Sequence, residues 1–161
     1  MKYIKAIINY PLEFIGGALF SIMAIVVFSQ VISRYVFRAP FSWPEELARL
    51  LFAWVSLIGA SIGVKNSSHY NIDIFTNNLP KKIKTIYLIF IDIILVFLVL
   101  YWGWAGTKAL DVASRQIYPA LRISFIWLYL AIPINCGIMF IIIFSRIFKS
   151  IKKFIFENKI Y

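Results

Sequence analysis

The chain has 161 residues, of which 61% are hydrophobic and only 15% are charged, and its mean hydropathy is +0.82. Soluble domains are roughly half apolar and about a quarter charged, so this composition excludes an ordinary soluble protein. The formal net charge of +10 would suit nucleic acid, but the basic residues border apolar segments. We therefore attribute the charge to membrane topology and to attraction by anionic lipid, and we predict no nucleic-acid partner.

Four apolar segments predict an all-α integral membrane protein with four helices. A helix that rises ~1.5 Å per residue needs about 20 residues to cross a ~30 Å hydrocarbon layer. The first segment is far longer than the roughly 7–15 apolar residues of a secretory signal and has no small-residue cleavage site, so we expect it to be retained. The single domain of residues 1–161 then has spans at about residues 12–37, 47–64, 83–107 and 123–144.

The distribution of basic residues predicts the topology. Four spans place both termini and the central loop on one side, which holds eleven of the 17 lysines and arginines, against six on the other. The positive-inside rule then predicts that both termini are cytoplasmic. Apolar residues at helical spacing among the lysines of residues 147–155 also predict an interfacial amphipathic helix, and the loop before the fourth span has a similar pattern.

Several kinds of chemistry are excluded by residue counts. Cys136 is the only cysteine, so the chain has no internal disulfide and no cysteine-pair redox chemistry. His69 is the only histidine, so neither a bis-histidine haem nor a metal site with several His or Cys ligands can be built. With no nucleophile motif and no phosphate-binding loop, the sequence predicts neither an enzyme nor a resident metal or cofactor.

A charged cluster opens the second span, in the stretch "PFSWPEELARL". Glu45 suits the first turn of a helix, where a carboxylate complements the helix dipole, and it can pair with Arg49 four residues later. This does not explain Glu46, because ionised groups at membrane depth need partners. We predict a polar clamp between spans one and two, or with a partner subunit, formed by Arg34, Arg38, Trp43, Glu45, Glu46 and Arg49.

Asp92 is the only acidic residue predicted to lie well inside a span, roughly 13 Å from its cytoplasmic end. Residues at similar depth in the other spans are Ser21, Ser56 and Asn135. These residues favour a shared layer of hydrogen bonds, and a proton or cation relay at Asp92 is the alternative. Gly59 and Gly63 have the small-x-x-x-small spacing of helix contacts in membranes.

The region between residues 34 and 73 resembles one known family. The pattern is formed by Arg34, Phe37, Pro40, Trp43, Glu45, Glu46, Arg49, Trp54, Gly59, His69 and Asp73. It is similar to the small, DctQ-like membrane subunit of tripartite ATP-independent periplasmic (TRAP) transporters, and length and span number agree along the whole chain. One departure is Lys65, where the family often has an arginine before the histidine.

The resemblance implies a three-part transporter in the bacterial inner membrane. A periplasmic binding protein would capture an organic acid of the C4-dicarboxylate or sialic acid class. A large permease subunit would move the acid with a sodium gradient, and the small subunit would brace it without binding substrate. The charged cluster would then serve subunit assembly or docking of the binding protein.

Two other interpretations fit a small four-span chain. One is a self-sufficient dimeric exporter of cations or drugs, although such proteins centre on a membrane glutamate in the first span, where Glu13 lies only at the edge. The other is a scaffold subunit of a different membrane complex. Transport by the chain alone would favour the exporter, whereas co-purification with a large multi-span protein would favour a subunit.

Overall fold

The computed structural model describes residues 10–38, 41–66 and 80–157, except for the side chains of residues 81, 82 and 153–157. This part of the chain is helical apart from the loop before the fourth span and a few residues that flank the helices. The five helices are α1 (Pro11–Tyr35), α2 (Trp43–Asn66), α3 (Lys81–Ala113), α4 (Ile126–Tyr129) and α5 (Ala131–Glu157).

Four segments are long and apolar enough to cross a membrane, which confirms the predicted all-α, four-span class. They are Pro11–Tyr35, Trp43–Asn66, Ile83–Ala113 and Ile126–Lys152. The second span begins earlier than predicted, so the charged cluster lies within its helix. The third and fourth spans both extend further than predicted, which places several polar residues inside helices rather than in loops.

Prolines mark where helices begin and break. Pro11 opens α1 and Pro44 lies in the first turn of α2, where the missing N–H would have no helical partner. Pro133 explains why α4 and α5 are separate elements, because its ring cannot donate a hydrogen bond to the carbonyl four residues earlier. The fourth span therefore consists of the short helix α4 followed by α5.

The main helix contacts join two pairs of helices. α1 packs along α2, α3 packs along α5, and α2 packs against α5. The helices that contact each other therefore follow the sequence α1, α2, α5, α3. A buried apolar cluster lies between α3 and α5 and includes Val99, Cys136, Met139 and Ile143. Cys136 is buried there and acts as a small apolar side chain.

Large apolar side chains remain on the outside of the isolated chain. Phe28, Phe97 and Trp104 are 66%, 71% and 60% exposed, although each lies within a membrane-spanning helix. In a soluble protein such surfaces would cause aggregation, whereas in a bilayer they contact lipid tails or another membrane subunit. The arrangement therefore suits a chain whose helices are surrounded largely by lipid or by another membrane subunit.

The C-terminal segment continues the helix of the fourth span, which ends at Lys152 by length and composition. Residues 147–155, which were predicted to form an interfacial helix, are the last turns of α5, which continues without a break to Glu157. By contrast, the loop of residues 114–125 is not helical, because it forms a tight turn closed by an antiparallel bridge between Ile117 and Ser124. Several of its backbone hydrogen bonds lie within the loop, and the N–H groups of Ala120 and Leu121 donate to Glu46 of α2.

Close helix packing occurs at glycines other than the predicted pair. A Cβ atom placed on Gly106 would lie 2.6 Å from Ile132 Cγ2 and 3.3 Å from Pro133 Cδ. By contrast, a Cβ atom on Gly59 or Gly63 would have no heavy atom within 4 Å among the described residues. Gly106 is thus a position of close approach between α3 and α5, and a packing role for Gly59 and Gly63 requires another chain.

We expect Gly106→Ala to destabilise the chain by about 1–3 kcal/mol, because Ile132 and the proline ring must move away from the added methyl group. The control is Gly137→Ala on α5, where a Cβ atom has no neighbour within 4 Å. It should be neutral, or stabilising by up to about 1 kcal/mol, from helix propensity. Equilibrium unfolding in detergent measures both effects, and equal unfolding free energies for the two variants would contradict this packing.

Candidate functional site

Glu46 ties the first turns of α2 to the loop before the fourth span. The Ala120 N–H donates to both carboxylate oxygens at 3.0 Å, and the Leu121 N–H donates to Oε2 at 2.8 Å. A carboxylate that accepts backbone N–H groups makes charge-assisted hydrogen bonds, which are stronger than neutral ones. Glu46 thereby fixes the tip of a loop 74 residues further along the chain.

The loop held by Glu46 is an ordered structure of its own. Tyr118 is 1% exposed and its ring stacks on Phe125, with ring centroids 3.9 Å apart. The Arg122 N–H donates to the Tyr118 carbonyl at 2.8 Å, and Arg122 adopts the left-handed region at φ 55° to close the turn. Burial raises the pKa of the Tyr118 hydroxyl, so this side chain stays neutral.

The clamp predicted between spans one and two has a different partner. Glu46 is held by the loop and not by Arg34 or Arg38, both of which are exposed near the end of α1. Glu45 pairs with Arg49 on its own helix at 3.4 Å, as the spacing predicted, and both side chains are more than half exposed. Trp43 is also exposed, at 43%.

Asp92 forms an ion pair with Arg146, a partner that was not predicted from the sequence. Nε of Arg146 donates to Oδ2 of Asp92 at 2.9 Å, and one terminal nitrogen donates to Oδ1. The other terminal nitrogen donates to the Val64 carbonyl at 3.0 Å. The side chains of Arg146 and Asp92 are 18% and 7% exposed, so one guanidinium joins α2, α3 and α5 in a buried contact.

Arg146 was not predicted to be a partner of Asp92 because the fourth span was expected to end near residue 144. Arg146 can be recognised as a partner of Asp92 from the similar distances of the two residues from their helix ends. Asp92 lies eleven residues after the start of α3, and Arg146 lies eleven residues before the end of α5. At ~1.5 Å per residue, both lie about 16 Å from helix ends on the same side. A bidentate ion pair with a guanidinium favours a structural role for Asp92 over a relay.

The four residues of the predicted polar layer do not form hydrogen bonds with one another. Asn135 is buried and contacts Ser61, with 3.3 Å between the serine hydroxyl and the amide oxygen. Ser21 and Ser56 are exposed and donate to carbonyls of their own helices, those of Gly17 and Ala53. Asp92 is held by Arg146, so the expectation of one shared hydrogen-bond layer is replaced by two separate contacts.

A third polar contact joins α1 to α2. Lys65 Nζ lies 2.8 Å from Glu13 Oε1 and 5.3 Å from the centre of the Tyr10 ring. Lys65 and Arg146 line one groove at the same end of the bundle, so this contact and the Asp92 pair lie close to each other. Pro40, His69 and Asp73, which contributed to the family resemblance, lie outside the described residues.

Comparison with known proteins identifies the family. Residues 23–153 match the family described as "Tripartite ATP-independent periplasmic transporters, DctQ component". The chain belongs to this family. Glu46, Asp92 and Arg146 all fall inside the matched region, so the contact of Glu46 with the loop and the Asp92–Arg146 pair are part of the DctQ-family domain.

Individual relatives agree with this assignment. The chain is 34% identical over 139 residues to the sialic acid TRAP transporter permease protein SiaT of Haemophilus influenzae, covering 86% of this chain and 22% of SiaT. It is 30% identical over 155 residues to the small permease protein SiaQ of Vibrio cholerae, covering 94% of this chain and 88% of SiaQ. It is 34% identical over 86 residues to the C4-dicarboxylate small permease protein DctQ of Vibrio cholerae, covering 53% of this chain and 35% of DctQ.

The chain therefore spans about a fifth of SiaT but most of SiaQ. Membership in the DctQ family, together with four apolar helices, makes it a multi-pass inner-membrane protein. The family is a transporter membrane component and not an enzyme. This assignment replaces both the dimeric exporter and the scaffold of an unrelated complex as interpretations of the sequence.

Proposed function

We propose that this chain is the small scaffold subunit of a TRAP transporter, which packs on a large permease subunit and braces it. The observation that carries the proposal is that charged residues inside the spans contact other parts of the same chain. Glu13 pairs with Lys65, Glu46 with loop amides, and Asp92 with Arg146. Each contact joins two elements of the same chain, which suits a rigid support rather than a route for solute.

The rest of the transporter is inferred from the relatives. In SiaT the similar region is only about a fifth of a longer permease, which supports a permanent association of this domain with permease sequence. The relatives' names include both sialic acid and C4-dicarboxylate, so we propose an organic acid of either class as solute. A periplasmic binding protein would deliver it, and a sodium gradient would drive uptake through the large subunit. Both termini of the chain would face the cytoplasm.

One face of α2 is suited to contact the large subunit. Exposed residues recur along it every three or four positions, which places them on a single side of the helix. The half of this stripe near the C-terminal end of α2 consists of small residues, so the backbone of another helix can approach closely there. The half near the N-terminal end of α2 has an ion pair and an aromatic ring. We call this the α2 stripe, formed by Glu45, Arg49, Phe52, Ser56, Gly59 and Gly63.

The experiment introduces a bulky side chain into the α2 stripe. Gly63→Leu should leave the isolated chain folded, because a Cβ atom there has no neighbour within 4 Å, but it should reduce co-purification with the large permease subunit about tenfold or more. The matched control is Gly17→Leu on α1, where a Cβ atom is equally free of neighbours. The proposed face would be wrong if Gly63→Leu retained the large subunit as well as the control did.

A further inference from the structure

A groove lies at the end of the bundle where α1 begins, between α1 and the second half of α5. It has a volume of about 630 Å³ and is open on one side. Its wall is apolar and includes Leu12, Ile138, Ile141 and Ile142. These two helices are joined mainly through α2, which leaves room between them at this end of the bundle.

Three cationic side chains line the same groove. Lys65, Arg146 and Lys149 come from α2 and α5, and Lys149 is one helical turn beyond Arg146. Carboxylates balance two of these charges, since Glu13 pairs with Lys65 and Asp92 pairs with Arg146. Lys149 is exposed and makes no hydrogen bond or ion pair with the described residues, so the groove keeps a net positive charge.

We propose that this groove binds an anionic phospholipid. A basic rim above an apolar wall complements an amphiphile with a negative headgroup and a hydrocarbon chain. The phosphate would lie near Lys149, where a point charge suits a single anionic group, and the first part of an acyl chain would lie along Ile138, Ile141 and Ile142. A small soluble anion would leave the apolar wall without a contact, whereas the acyl chain of a lipid would cover it, so lipid is the better match.

Binding of a lipid in this groove requires neither the large subunit nor the solute. Its physical basis is the charge and shape of one groove in this chain, whereas the proposed function depends on the α2 stripe. The α2 stripe is formed by other residues of α2 and does not line the groove. A failed lipid experiment would therefore leave the scaffold proposal unchanged, and the converse also holds.

The experiment titrates short-chain phosphatidylglycerol into the full chain in an uncharged detergent, with phosphatidylcholine as the zwitterionic comparison. We expect phosphatidylglycerol to bind more tightly, and Lys149→Glu to weaken its binding roughly tenfold or more, because two units of charge change beside the phosphate. The control is Lys152→Glu, which makes the same charge change on the same helix outside the groove lining. It should change the affinity by less than about threefold.

Four outcomes would overturn the proposal. Equal affinity for the two lipids would mean that the groove does not recognise a negative headgroup. Equal effects of Lys149→Glu and Lys152→Glu would mean that the attraction is that of a basic surface in general. Displacement of phosphatidylglycerol by millimolar inorganic phosphate would make the site a simple anion site. Loss of lipid binding once the large permease subunit is bound would make a protein segment the occupant.

Discussion

Replacing Asp92 by asparagine should destabilise the chain by about 3–5 kcal/mol, because it leaves the Arg146 guanidinium without its counter-charge in a buried position. The variant keeps the size of the side chain, so the loss reports on charge and hydrogen bonding rather than on packing. Unfolding of the purified chain in detergent, followed by tryptophan fluorescence, measures the change. We expect Arg146→Met to cause a comparable loss, since it leaves the Asp92 carboxylate unpaired.

The combined variant Asp92→Asn, Arg146→Met provides an internal check. Removing both charges should recover part of the stability lost in either single variant, because no uncompensated ion remains. The exposed Glu45–Arg49 pair is the matched control: its side chains are 62% and 58% exposed, and Arg49→Ala should cost less than about 1 kcal/mol. Similar losses for Asp92→Asn and Arg49→Ala would show that the pair does not hold the three helices together.

Glu46→Ala should release the loop of residues 114–125 from α2. The change removes the acceptor for two backbone N–H groups, and hydrogen bonds to a charged group contribute about 1.5–3 kcal/mol. Hydrogen exchange measures this directly, and the amides of Ala120 and Leu121 should exchange at least about tenfold faster. We also expect weaker assembly of the transporter or weaker uptake, because Glu46 holds this loop against the first turns of α2.

Two further variants distinguish the hydrogen bonds of Glu46 from the effect of its charge and from the effect of removing a neighbouring carboxylate. Glu46→Gln keeps one carbonyl acceptor in place and should accelerate exchange by an intermediate amount. Glu45→Ala removes the neighbouring carboxylate, which contacts Arg49 and not the loop, and should leave exchange unchanged. If Glu45→Ala and Glu46→Ala had the same effect on Ala120 and Leu121, the loop would be held by something other than the Glu46 carboxylate.

The sequence predicted the spans because their signal is local. A run of about 20 apolar residues specifies a membrane helix without reference to the rest of the chain. The pairing of Glu45 with Arg49 was predictable for the same reason, since it depends only on a spacing of four residues within a helix. Family resemblance was carried by the same short region, in which the order of charged and aromatic residues is visible in the sequence.

The partners of Glu46 and Asp92 were not predictable in this way. Glu46 contacts backbone amides 74 and 75 residues away. No pattern of side chains in that loop indicates that two of its N–H groups are available to an acceptor. Arg146 lies 54 residues from Asp92, beyond the apparent end of the fourth apolar run. Likewise, small residues occur in several spans, but only helix geometry decides that Gly106 is crowded while Gly59 and Gly63 face outward.

Reconstitution in liposomes tests the central claim most directly, namely that this chain braces a transporter and does not itself carry solute. The chain alone should give no uptake of sialic acid or of a C4-dicarboxylate. The large permease with its binding protein and a sodium gradient should give uptake only when this chain is present. Uptake by the chain alone, or undiminished uptake by the large subunit without it, would contradict the account.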